Sequence, residues 1–249
     1  MGERWIGSLT TPTSSAVREA GGHLKSAVVE QPAGRNAGFA QLRRFHNSYA
    51  LYTAFLLALA SGARACAVYG WRATLDLRDW FCFFKDKTTG PQKLSYPMLL
   101  PQAAATQAVL FKAHCAALLR RIEHRSVGTV ALLQRLQAVS AAQPVPLLFL
   151  VSRTGGLAKL GTAELRAAYP AQAQLVGDAG RHYFASYLFL QRVEDSFIDF
   201  FLRHAEHGRE PLSSTSMVSL RCAHERVCPL IDGHLGDLGL SSLPGLAGD

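Results

Sequence analysis

The chain has 249 residues, 49% of them hydrophobic and 18% charged, and Lys plus Arg exceed Asp plus Glu by 26 to 18 for a net charge of +8. That length and apolar content exclude a disordered chain and allow one large or two small domains with a substantial core. The basic excess is mostly arginine, whose planar fork suits phosphate, so a polyanion is the first partner to consider; a coding bias toward Arg and Ala would give the same composition.

The five cysteines, Cys66, Cys82, Cys115, Cys222 and Cys228, are odd in number and form no C-x-x-C pair, which points to a reducing cytoplasm without a metal or cofactor. Cys222, His224 and Cys228 lack a fourth ligand at a recognisable spacing. The N-terminus, Met1-Gly2-Glu3-Arg4, has no leading apolar run. Tyr49 to Val68 is the most apolar window, but Arg64 interrupts it before it could span a bilayer, so no membrane partner is expected.

Residues 1–40 are rich in Gly, Ser, Thr and Pro and carry no sustained period; they read as a low-complexity, disordered arm. From Gln41 the pattern changes. Leu42, Phe45, Tyr49, Tyr52, Leu56 and Leu59 recur at three- and four-residue steps, the signature of a helix burying one face. Ser61-Gly62 ends that helix and leaves Arg64 in the turn behind it. Leu75 to Phe84 and Leu94 to Leu100 are short apolar runs on either side of a Lys85-to-Pro91 turn, which predicts a β-hairpin.

Helical spacing returns from Gln102 to about Ala142, with Leu110, His114, Leu118 and Ile122 on one stripe and Leu132, Leu133 and Leu136 on another. An apolar run, Leu147 to Val151, then leads through Gly155-Gly156 to a helix around Thr162 to Ala168, for which Thr162 is an N-cap candidate. A further helix carries Arg181, His182, Phe184, Tyr187, Leu188 and Leu190. Another runs from about Ser196 to His204, and a last one from about Val218 to Leu230. Residues 236–249 read as a flexible tail. The expected class is α+β, mainly helical, with a small antiparallel hairpin.

In chain order these elements present an arginine after a helix, a lysine at a hairpin turn, an Arg-His pair opening a helix and a later histidine. This order resembles the catalytic domain of the tyrosine recombinases, or phage integrases. The resemblance implies an integrase-like catalytic domain over residues 41–235 and double-stranded DNA as the partner. It also implies a homo-oligomer on DNA, for which Val218 to Leu230 is the candidate exchanged helix, and no small-molecule substrate.

The resemblance gives roles to individual residues. Leu59-Ala60-Ser61-Gly62-Ala63-Arg64 stands where the family has a turn whose arginine binds the scissile phosphate. Lys87, with Lys85 and Lys93 as neighbours, stands for the hairpin lysine that protonates the leaving 5′-oxygen. Gly180-Arg181-His182 matches the second arginine motif, with Asp178 where the family has a histidine; the same Asp could cap the helix. Leu202-Arg203-His204 matches the last histidine. Two arginines and a histidine would stabilise charge building on the nonbridging oxygens during phosphoryl transfer.

One part is missing. The family places a tyrosine about nine to twelve residues after the last histidine, but the window Glu210 to Met217 has none, and no Tyr follows Tyr187. A phenol, with a pKa of about 10, is both a usable nucleophile and a good leaving group; the serines and threonine of that window are far more basic. The sequence therefore predicts a DNA-binding protein of the recombination and integration class with an incomplete active site. The alternative is a catalytically inactive DNA-binding or partner-binding regulator derived from a mobile-element integrase.

Overall fold

The computed structural model describes residues 12–31, 33–34, 36–64, 68–72, 81–85, 95–125, 127–173, 175, 179–202, 204, 216 and 220–246, with 81–85 and 95–97 as backbone alone. Among these residues are eight α-helices and two two-stranded antiparallel sheets, so the chain is mainly helical with a small β component. No helix among them is long and apolar enough to cross a membrane.

The fold is organised around helix α2 (Phe39–Ser61). Its first turns bury one stripe, Leu42 and Phe45, as the sequence spacing predicts. From Tyr49 onward it buries Ala50, Tyr52, Thr53, Ala54, Phe55, Leu56, Leu57, Leu59, Ala60 and Ser61, which is burial nearly all the way round. A helix apolar on every side is stable only when neighbours cover every side. Helix α1 (Ser14–Val29) covers one flank.

Where residues 1–40 were expected to form a disordered arm, Ser14–Val29 form helix α1: Thr13 caps it through Ala16 N–H, and Val17, Ala20, Gly21, Leu24 and Val28 form a buried stripe. Gly21, on the buried face of α1, is a point of close approach. A Cβ on Gly21 would lie 2.6 Å from Leu240 Cδ2 and 2.8 Å from Phe55 Cε1, so only glycine lets α1 pack this near.

The predicted hairpin is present but shorter, as strands β1 (Phe81–Lys85) and β2 (Ser95–Leu99), with Phe81 opposite Leu99 and Lys85 opposite Ser95. The single helical stretch expected from Gln102 to Ala142 divides into α3 (Gln102–His124) and α4 (Val130–Ser140). Gly128, at φ +96°, turns the chain, and the Thr129 hydroxyl accepts the Leu132 N–H to start the second helix. A short ribbon, β3 (Leu150–Val151) with β4 (Leu157–Ala158), precedes α5 (Thr162–Ala167). Helices α6 (Ala179–Leu190) and α7 (Asp195–Leu202) follow, and α6 packs on both α2 and α7.

Helix α8 (Leu220–Asp237) runs through Pro229 and seven residues past the predicted end. Its Asp232 carboxylate accepts from the Gln102 and Ala103 N–H groups and so caps α3, whose own N-cap, Pro101, offers no side-chain acceptor. Arg18 and Lys25 of α1 donate to the Asp237 and Gly239 carbonyls at its far end. Cations satisfying the last carbonyls of a helix also oppose its dipole.

The tail expected to be flexible is a strap over α2 and α3, with Leu238, Leu240 and Leu246 buried. Tyr49 Oη donates to Leu243 O (2.7 Å), Tyr52 Oη donates to Ser241 O, and Leu243 N donates to Gln107 Oε1 (2.8 Å). Gln107 Nε2 in turn donates to Thr53 Oγ1 at 2.9 Å. Burial inside an apolar layer makes each of these polar groups need a partner, and the strap backbone supplies it.

At the other end of the strap is a buried pair of histidines, both inaccessible to solvent. Leu246 N donates to His114 Nδ1 (3.1 Å), which leaves the proton of His114 on Nε2. That N–H donates to His46 Nδ1 (3.0 Å), and His46 Nε2 donates to Phe149 O (3.1 Å). The relay fixes both tautomers as neutral. Burial holds His46 down at about 4 against its bond to Phe149, and burial, with repulsion from His46 and Arg121, holds His114 well below its ordinary value.

A histidine lowered in the folded state favours folding fully above its unfolded value near 6.5, and this contribution is lost as pH falls toward 4. For His46 alone the loss across that window is roughly 3 kcal/mol. Urea unfolding at a series of pH values is expected to show stability flat above neutrality and falling below pH 6.5. A His46→Gln variant, whose amide can accept and donate but does not titrate, is expected to flatten that fall; an equally steep fall in the variant would refute the assignment.

Candidate functional site

Of the positions singled out in the sequence, Arg64, Arg181 and His204 lie where α2, α6 and α7 end or begin. Helix α2 stops because Gly62 adopts the left-handed conformation (φ +59°), and a Cβ there would lie 2.8 Å from Phe184 Cδ1. The following turn is held in place: Ala63 N donates to Ser61 Oγ, Ala63 is buried, and Val68 N donates to the Arg64 carbonyl (3.1 Å). Arg64 thus leaves a fixed turn, half-buried, as its place behind a helix C-terminus predicted.

Arg181 lies in the first turn of α6. Gly180 brings this turn against the α2 backbone, where its Cβ position is 3.5 Å from the Ala58 carbonyl group. The Arg181 side chain does not project outward; the residue is only 7% exposed. Its Nη1 donates to the Gly62 carbonyl (3.2 Å), and its Nη2 donates to the Leu202 carbonyl and to His204 Nε2 (2.9 Å). Gly62 and Leu202 close α2 and α7, so the guanidinium sits between two helix C-termini, whose partial negative charge favours a cation.

His204 follows α7 directly. Its backbone N–H reaches back to the Asp199 carbonyl (2.7 Å), and its Nδ1 lies 3.7 Å from Asp199 Oδ1, with both side chains about half exposed. A guanidinium can only donate, so His204 Nε2 is an acceptor here. This differs from the expected role as a third donor to phosphate: Nε2–H could face an anion only after the Arg181 bond was given up. Likewise, Arg181 spends donors on backbone carbonyls, because a buried guanidinium must satisfy its N–H groups locally.

The structure therefore brings Arg181 and His204 into contact and ties both to the turn that carries Arg64. His182, next to Arg181 in sequence, points to the exposed side of the same helix turn. Lys87, Lys93 and Asp178 lie outside the described residues, and so does the window expected to hold a nucleophile apart from Ser216. Lys85 closes β1. Among the described residues no group of three His, Cys, Asp or Glu side chains could hold a metal ion.

Sequence reasoning missed the carbonyl contacts of Arg181. The available signal was the run of apolar residues after it, Tyr183, Phe184 and Leu188, which places α6 in the core and pulls the first turn inward. Replacing Arg181 with Met leaves two helix-terminal carbonyls without their charged donor and is expected to cost about 2–3 kcal/mol in urea unfolding. His204→Ala, at an exposed side chain, is expected to cost less than about 1 kcal/mol. Equal costs would contradict the pinning role given to Arg181.

Neither a family model, a curated protein nor a solved structure matches this chain.

Proposed function

We propose that the chain binds duplex DNA in the manner of a tyrosine recombinase catalytic domain and is silent in strand cleavage. The observation that carries the reading is the convergence at Arg181. Its guanidinium joins Gly62, 119 residues away in the chain, to His204, 23 residues away, so the three motifs taken in family order share one corner. A chain of net charge +8 supplies the long-range attraction to a polyanion.

Arg64 is the residue of this corner placed on a turn just outside the core, and it is the phosphate contact in this reading. Arg181 positions the turn. Lys87 is the proton donor that the resemblance implies for a departing 5′-oxygen, but with no tyrosine there is no attack to expel one. The inactive-regulator reading gains from the same geometry, because Arg181 and His204 are engaged with each other and with helix ends.

Electrophoretic shift of a duplex between about 50 and 200 mM salt tests binding. The expected result is a salt-dependent shift whose log-log slope falls by about one in Arg64→Ala. Incubation with a nicked suicide duplex is expected to give no protein-DNA adduct that survives denaturation. Failure to shift any duplex at low salt would sink DNA binding, whereas a covalent adduct would overturn only the silence, and mapping it would name the nucleophile.

A further inference from the structure

Away from this corner, an open-sided cavity of about 530 Å³ lies between α4, the β3–β4 ribbon and the turn that starts α5. Its volume falls in the range of small-molecule sites. Pro146, Leu148 and Leu160 form an apolar floor, and Leu157, 37% exposed, stands at the rim. Among the described residues the charged side chains lining it are Arg135 and Lys159, both cationic.

Arg135 is held with its guanidinium carbon 5.8 Å over the Phe149 ring, a contact that fixes its direction without neutralising it. Among the described residues neither Arg135 nor Lys159 has a hydrogen-bond or ion-pair partner, so neither charge at the cavity wall is neutralised by a neighbour among them. A cavity with an apolar floor and two uncompensated cations at its wall favours an anion with an apolar body, because the anion supplies the missing charge and the body displaces water from the floor.

We infer that this cavity is a binding site for a small amphiphilic organic anion, its carboxylate, sulfonate or phosphate held by Arg135 and Lys159 and its aromatic or aliphatic body on Pro146, Leu148 and Leu160. The site is independent of the DNA-binding reading and shares no residue with it. It adds a small-molecule ligand to a chain for which the sequence suggested none.

Fluorescence titration of the full chain with 1-anilinonaphthalene-8-sulfonate, and with neutral N-phenyl-1-naphthylamine as comparator, tests this. The sulfonate is expected to bind saturably, one dye per chain, and an Arg135→Met/Lys159→Met variant is expected to weaken it at least about tenfold while leaving the neutral dye unchanged. Leu157→Trp, at an exposed rim position, is expected to weaken both dyes and keeps the test decisive if the double variant fails to fold. No saturable binding up to about 1 mM, equal affinity for the two dyes, or sulfonate binding indifferent to both variants would overturn the inference.

Discussion

The all-round burial of α2 is the constraint on which the rest of this structure depends. A helix with one dry face needs one neighbour; a helix dry on every side needs a shell, and every polar atom on it needs a partner inside that shell. Helix α2 carries His46, Asn47, Tyr49, Tyr52, Thr53 and Ser61 within its length. Each of the first five is bonded to the shell. Asn47 pairs with both the N–H and the carbonyl of Val151, Thr53 with Gln107 of α3, and His46 with His114 and Phe149, while the two tyrosines hold the strap. The polar groups thus set which backbone lies where, and the apolar residues fill the space between.

The same constraint builds the corner at the end of α2. Helix α6 must lie against α2 to cover it, which brings Gly180 to the α2 backbone and Arg181 to the Gly62 carbonyl. Once there, a buried guanidinium has to find acceptors, and the nearest are the ends of α2 and α7. Arg64 and His204 are positioned as a consequence. A residue that looks like a ligand-binding arginine in sequence is, in the fold, the pin that sets the geometry of its neighbours.

Much of the helical core was legible because its signal is local. The spacing of Leu42, Phe45, Tyr49, Tyr52, Leu56 and Leu59 marks α2, Ser61-Gly62 marks its end, and the stripe containing His114 marks α3. What was not legible depends on tertiary partners. Gly21 carries no periodic signal, and its use as a contact point appears only when Leu240 and Phe55 are known. The strap has the composition of a loose tail, and its order comes from tyrosines and a glutamine far away in the chain. Helix α8 was expected to end near Leu230, but it continues to Asp237 through Pro229, held by contacts at Asp232 and beyond, which outweigh the one backbone bond that proline removes. In the candidate site, the order of Arg64, Arg181 and His204 was visible in sequence; the inward turn of Arg181 and the acceptor role of His204 were not, since both follow from where two helices stop.

Hydrogen exchange of the chain with and without duplex DNA tests the central claim, that DNA meets the corner pinned by Arg181, most directly. The account predicts slowed exchange confined to amides around Gly62 to Arg64, Ala179 to His182 and His204, with the strap and α1 unchanged. Protection that appears on the strap or α1 while the amides around Arg64 and Arg181 exchange as in the free chain would contradict it.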